Sequence, residues 1–244
     1  MRSTAANLER RLEARLRSED VHLGSAELVG RVVDLVRGRG ARRILDLGTG
    51  CGELLSRLRA EGLEATGLDL CGTLLDRARK SLPPAPNLIR GDVERLPLAA
   101  GRLDLVSFLL VAHYLRHPGR ALSEAARVLR PGGWIILADR ITSPNPALRR
   151  IQHRMETLRN PSVRRVLTSG ELSDELGRAG FRVRRIDFLE ETVPLDRWLA
   201  GVGALQADRI REDLRQAPNP DLGGIAFEAP DRIRVRIDLI LAQK

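Results

Sequence analysis

The run ILDLGTGCGELL (Ile44–Leu55) constrains this chain more than any other stretch. An apolar strand ends in Asp46, then Gly48, Gly50 and Gly52 alternate, and a helical pattern opens at Glu53. Glycines at a strand-to-helix turn reach positive φ and let a ligand approach bare backbone. The helix that follows offers free N–H groups at its start. A dinucleotide fingerprint, G-x-G-x-x-G, would need a glycine where Glu53 stands. A carboxylate there repels a pyrophosphate, so Asp46 and Glu53 suit a zwitterionic amino acid better than NAD. A tight turn alone does not require three alternating glycines.

From Arg43 to Arg140 short apolar runs alternate with helical stretches. Strands are expected at Ile44–Leu47, Glu64–Asp69, Leu88–Arg90, Leu103–Phe108 and Trp134–Ala138. Helices are expected at Glu53–Glu61, Gly72–Ser81 and Pro118–Leu129. This alternation predicts an α/β fold with a doubly wound, mostly parallel sheet covered on both faces by right-handed crossovers. Residues 5–20, with Leu8, Leu12 and Leu16 on one stripe, and Ala26–Arg37, with Ser25 as its cap, predict two helices before the sheet. Residues 1–40 are therefore expected to cover a cleft and 41–244 to form the main domain. A helical lid is expected over about 141–180, carrying helices Ala147–Arg159 and Ser169–Ala179. Phe181–Leu189 reads as a strand, Asp196–Gln216 as one helix, and Arg232–Leu241 as a last strand. There Arg alternates with Ile and Val, as on a wet face near the sheet edge.

Two further carboxylates sit at strand ends. Asp69 closes EATGLDL, where an acid can accept hydrogen bonds from both ribose hydroxyls of a nucleoside. Its other reading is a helix N-cap for Gly72–Ser81. Asp92, in IRGDVERLPL, can accept from an adenine amino group with Val93 beside the ring, or simply stabilise a turn.

Composition narrows the classes. The net charge of +9 invites a nucleic-acid reading, but the excess is almost all arginine, spread along the chain among 32 acids, whereas phosphate binding needs a clustered patch. Two cysteines, Cys51 and Cys71, exclude a disulfide scaffold or a Cys-rich zinc module, and no metal site is expected. No apolar run of membrane-spanning length and no secretory h-region is present in the sequence, so a cytoplasmic setting is expected.

With its three acidic strand ends in register, the chain resembles the class I S-adenosylmethionine-dependent methyltransferases. DLGTGCG fits the family's D/E-x-G-x-G-x-G motif, LDL and GDVERLP fit the next two, and Ser107–Asp139, with its VLRPGG turn, resembles the stretch over strands four and five. The likeness is dense from Leu28 to Asp139 and is nearest the small-molecule branch that includes quinone-biosynthesis C-methyltransferases. It implies a Rossmann-like seven-stranded sheet with the last strand antiparallel, and S-adenosylmethionine as cofactor. It further implies that Asp46, Gly48, Thr49 and Gly50 line the methionine and ribose, and that Asp69 holds the ribose. Leu70 would pack on the adenine, Asp92 and Val93 would meet its edge and face, and Leu109 or Leu110 would offer a carbonyl to the amino group. Many relatives carry His-His after the fourth strand; here His113-Tyr114 stands there. A (D/N/S)PP(Y/F) tetrad is absent from Ser107–Leu115, so DNA methylation is not expected.

Methyl transfer needs in-line attack, helped by positioning and, for some acceptors, a general base. His113 is the first candidate base, with Tyr114 and His117 its neighbours, whose other readings are a helix cap and a solvated loop residue; His22, upstream of the glycine loop, and His153, in the expected lid, are weaker candidates. The arginines of RRIQHRMETLRNPSVRR (Arg149–Arg165) suit an acidic acceptor, or more simply a solvated helix face. Trp134, Trp198 and Cys51 read as packing residues. The expected partner is a small-molecule acceptor, and the expected state a monomer or homodimer. The alternatives are a fold that binds the cofactor without catalysis and an RNA or protein methyltransferase.

Overall fold

Ile44–Leu47 (β1) is buried at every position because parallel strands flank it on both sides. Ile44 pairs with Ala65 of β2 (Ala65–Asp69) and with Leu105 of β4 (Leu103–Leu109). A strand enclosed this way has no wet face, which is why its sequence runs apolar except at Asp46. The computed structural model describes residues 26–82, 87–229 and 231–244. The expected helix over 5–20, His22 and the Ser25 cap lie outside those residues.

The sheet runs β3-β2-β1-β4-β5-β8-β6, where β3 is Asn87–Arg90, β5 Leu129–Arg140, β6 Arg182–Pro194 and β8 Arg232–Gln243. Strands β1 to β5 pair in parallel, and β8 is antiparallel to both β5 and β6. Two expectations are corrected. The sheet has eight strands, the extra one being β7 (Ile225–Ala229), which pairs with β8 beyond the point where β5 ends. The wet face expected of the Arg/Ile alternation is only partly open, because β8, antiparallel and near the edge as expected, lies one strand in from the edge strand β6. Arg232 stays exposed, whereas Arg234 reaches Glu190 and Glu228 at 2.7 Å each, and Arg236 reaches Asp238 at 2.9 Å.

Helices α1 (Ala26–Arg37) and α2 (Glu53–Ala60) cover one face of the sheet. Helix α4 (Pro118–Val128) and α6 (Ser169–Arg178) cover the other, and α3 (Gly72–Ser81) returns the chain from β2 to β3. Helix α6 begins at a reciprocal cap, Thr168 with Glu171. Its Leu172 and Leu176 belong to the main core, so this half of the expected lid is part of the sheet's own helical layer. The other half, α5 (Pro146–Arg159), joins a separate apolar cluster. Met155 packs there with Trp198 of α7 (Leu195–Trp198), with Ile210 and Leu214 of α8 (Ala204–Gln216), and with Ile225 and Val235. The helix expected over 196–216 is two helices, separated by a turn in which Gly201 has φ +75°.

Candidate functional site

The turn after β1 is shaped by two glycines. Gly48 has φ +72°, and a Cβ there would lie 2.3 Å from Cγ2 of Val111, so the exits of β1 and β4 interlock. Gly50 has φ +57° and faces open space where its Cβ would be. The first is required by packing and conformation; the second leaves room for a ligand against the main chain. The amides of Gly48 and Thr49 donate to the Leu68 carbonyl at 2.7 and 3.0 Å, fixing the turn to the end of β2.

Asp69 closes the same hollow. Its carboxylate accepts from the Gly50 amide at 2.9 Å and from the Cys71 amide at 2.8 Å. It thus ties the glycine turn to the start of α3, combining a cap-like role with a place beside the hollow. Burial raises its pKa, and the Cys71 and Gly50 amides oppose the rise. A carboxylate has about four acceptor positions, so the Cys71, Gly50 and Leu70 amides leave capacity for a hydroxyl. Asp46 lies deeper. Its Oδ1 accepts from the Ser107 hydroxyl at 2.7 Å, and burial pushes its pKa up to about 6 against the pull of that hydroxyl. Sequence reading missed Ser107, which stands directly opposite Asp46 across the β1–β4 pair.

The other expected residues line the same carboxyl edge of the sheet. Leu70 is among the few large apolar side chains left exposed. Val93 is buried in the core, and Thr49 is buried beside the turn. Asp92 is exposed, and its Oδ1 accepts from the Glu94 amide at 2.9 Å, so the turn reading is realised. Leu109 ends β4, and Leu110 has φ +55°, the one positive φ outside glycine among the described residues. A leucine held left-handed is strained, and such strain clusters where backbone groups meet ligands.

His113 has a different occupation from the expected one. Its ring is 3% exposed. Nδ1 lies 2.5 Å from Oδ1 of Asp139, and Nε2 lies 2.6 Å from Nη2 of Arg140. Burial, and then the Arg140 guanidinium, lower its pKa, so the ring is neutral. It donates from Nδ1 to Asp139 and accepts at Nε2 from Arg140. Both ring nitrogens are engaged, and no lone pair is left to take a proton from an acceptor. Arg140 in turn donates to Glu156 of α5 at 2.6 Å, in a pair whose side chains are 4% and 0% exposed. The result is a buried relay, Asp139–His113–Arg140–Glu156, that fastens α5 to the ends of β4 and β5.

Tyr114 stacks on His113 with ring centroids 4.0 Å apart, and its hydroxyl accepts from Asn160 at 3.1 Å. It is half-buried, whereas His117 and His153 are exposed. Arg149 of α5 and Arg165 beyond it meet Glu171, and Arg154 of α5 meets Asp213. They form no open anion patch. Trp198 is buried under the Arg159 guanidinium and Trp134 lies under Arg39, as packing residues. Cys51 is a free, half-buried thiol whose pKa burial raises. Among the described residues no cluster of three or more His, Cys, Asp or Glu could hold a metal ion, and no helix is long and apolar enough to cross a membrane.

Residues 45–137, which contain the glycine turn and all three acidic strand ends, match the family model described as a methyltransferase domain. Over that stretch the chain is similar to methyltransferases. An uncharacterized methyltransferase of Mycobacterium tuberculosis is 41% identical over 101 residues, which are 41% of each chain. A malonyl-[acyl-carrier protein] O-methyltransferase of Enterobacter lignolyticus is 30% identical over 165 residues, 66% of this chain and 64% of that protein. The chain therefore spans less than two thirds of the length of these curated relatives. For the fold, the solved YcgJ protein of Bacillus subtilis superposes with a TM-score of 0.81 at 22% identity, over 88% of this chain and 97% of that one.

Proposed function

We propose that this domain transfers a methyl group from S-adenosylmethionine to a small-molecule acceptor. The observation that carries the reading is the open space at Gly50, where a Cβ would meet nothing, beside the Asp69 carboxylate that holds its amide. When bound there, the cofactor supplies an electrophilic methyl on a sulfonium sulfur. Gly48, Thr49 and Gly50 would lie along its methionine and ribose, and Asp46 would favour its ammonium group. Asp69 would accept from the ribose hydroxyls. Leu70 and Val93 would flank the adenine, Asp92 would accept from its amine, and the Leu109 or Leu110 carbonyl would accept from the amino group.

Catalysis in this reading rests on placing the acceptor in line with the methyl group and keeping water out. Tyr114 is the residue that would touch the acceptor, its phenol aimed by Asn160. His113 is a positioning residue that holds the Tyr114 turn against Asp139. Isothermal titration tests the cofactor assignment. S-adenosylmethionine should bind and NAD should not, and Asp69→Ala should weaken the former by about 1–3 kcal/mol as its hydroxyl contacts are lost. Unchanged affinity in that variant removes the ribose role; no binding by the intact chain removes the proposal.

A further inference from the structure

The edge strand β6 carries an unusual arrangement for a border meant only to face water. Ile186 is 47% exposed and Phe188 52% exposed, side by side on the same face of the strand. The Phe188 carbonyl points away from β8: it accepts from Arg31, an exposed side chain, at 3.4 Å. In an antiparallel strand a residue's N–H and C=O share one side, so Phe188 presents both to the outside. Exposed edges are usually blunted by charge, which repels a second strand. Here the charges are segregated instead. Arg182, Arg184 and Arg185 occupy the first half, where Arg185 also meets Asp187 at 2.6 Å, and Glu190 and Glu191 occupy the second.

We propose that β6 pairs antiparallel with β6 of a second copy of this chain, about a two-fold axis at Phe188. Phe188 is the middle residue of Arg182–Pro194, so this register overlaps the strand along its whole length. It makes Phe188 and its symmetry mate a pair that exchanges both N–H···O bonds, as their outward groups require. The rings of the two Phe188 residues meet at the axis, each already under an Arg236 guanidinium at 4.4 Å. Arg185 faces Glu191 of the copy, and Glu191 faces Arg185, so the symmetry doubles the attraction. A parallel copy would oppose arginine to arginine, and an axis at Asp187 would oppose two aspartates. The charge pattern therefore selects both direction and register, as cross-strand pairs of opposite sign do. The bulge between Val183 and Arg185 bends the basic end and limits close pairing to Arg185–Glu191. Such a dimer has an isologous, closed interface.

Sedimentation velocity on the full chain tests this, with circular dichroism as the check on folding. The intact chain should show a concentration-dependent monomer–dimer equilibrium. Phe188→Gln, at an exposed site, should shift it towards monomer. Arg185→Glu should weaken the dimer by about tenfold, from two symmetry-related pairs, and adding Glu191→Arg should restore it. A chain that stays monomeric from micromolar concentration to its solubility limit overturns the proposal. So does a dimer unmoved by Phe188→Gln, or one that the double charge exchange leaves as weak as Arg185→Glu alone. Occupation of this edge by residues 1–25 of the same chain would give the first of these results.

Discussion

Two aspartates on neighbouring strands receive opposite treatment. Asp104 stands at the start of β4 and is clasped by Arg43 at 3.0 Å, by Arg130 at 2.8 Å, and by the amides of Arg42 and Arg43 at 3.1 and 2.9 Å. The Arg43 guanidinium, with these others, holds its carboxyl well below the usual carboxylate range. Asp46 stands near the end of β1, takes one side-chain hydroxyl at 2.7 Å, and is pushed up to about 6 by burial. The amino-terminal end of the sheet is satisfied and built for stability. The carboxyl-terminal end holds charge in a costly state that a cationic ligand group can relieve, as binding sites commonly do.

The largest expected effect breaks this contrast where the ligand end departs from its own rule. Arg140 and Glu156 are fully buried and paired, so Glu156→Ala leaves a cation uncompensated and should cost about 3–5 kcal/mol in urea unfolding. A loss near zero would mean that α5 is held by its apolar cluster alone. Next comes Asp46→Asn, which should stabilise the unliganded fold by up to about 3 kcal/mol at neutral pH while weakening S-adenosylmethionine binding. The sign follows from a raised folded pKa. Below 3.8 the carboxyl is protonated in both states, and the cost of ionising it grows as pH rises from 3.8 and is complete above about 6. The stability gap between variant and parent should therefore open across that window, and cofactor affinity of the parent should rise across it. A gap independent of pH would remove Asp46 as the source. The smallest effect is at Asp104. Its arginine partners are half exposed, so Asp104→Asn should cost only about 1–2 kcal/mol. Because its folded pKa is depressed, that contribution is present above the ordinary aspartate range and lost as pH falls below it. Acid-titrated melts of parent and variant should converge at low pH.

What the sequence made legible was local. The glycine turn, Asp69 and Asp92 are each read from a few neighbouring residues, because the turn, the strand end and the helix start are encoded together. The relay around His113 was not legible. Asp139 and Arg140 lie 26 and 27 residues beyond it, and only the pairing of β4 with β5 brings them together. A histidine after a strand therefore reads the same whether its ring is free or enclosed. Strand β8 misled for a related reason, since alternating arginine implies water until Glu190, Glu228 and Asp238 are placed opposite it. Strand β7 is short, follows Gly223–Gly224 and, among the described strands, pairs with β8, so nothing in its own residues announced it.

The placement of β8 between β5 and β6 sets an order of assembly. It is the last described element to leave the ribosome, yet β6 and β7 both hydrogen-bond to it and β5 is completed by it. Until then the nascent chain can seat the glycine turn on β1, β2 and β4, but the outer third of its sheet has no scaffold. Handling the newborn polypeptide up to that moment falls to whatever shelters its bare strands, and the glycine turn is seated before the wall beside it.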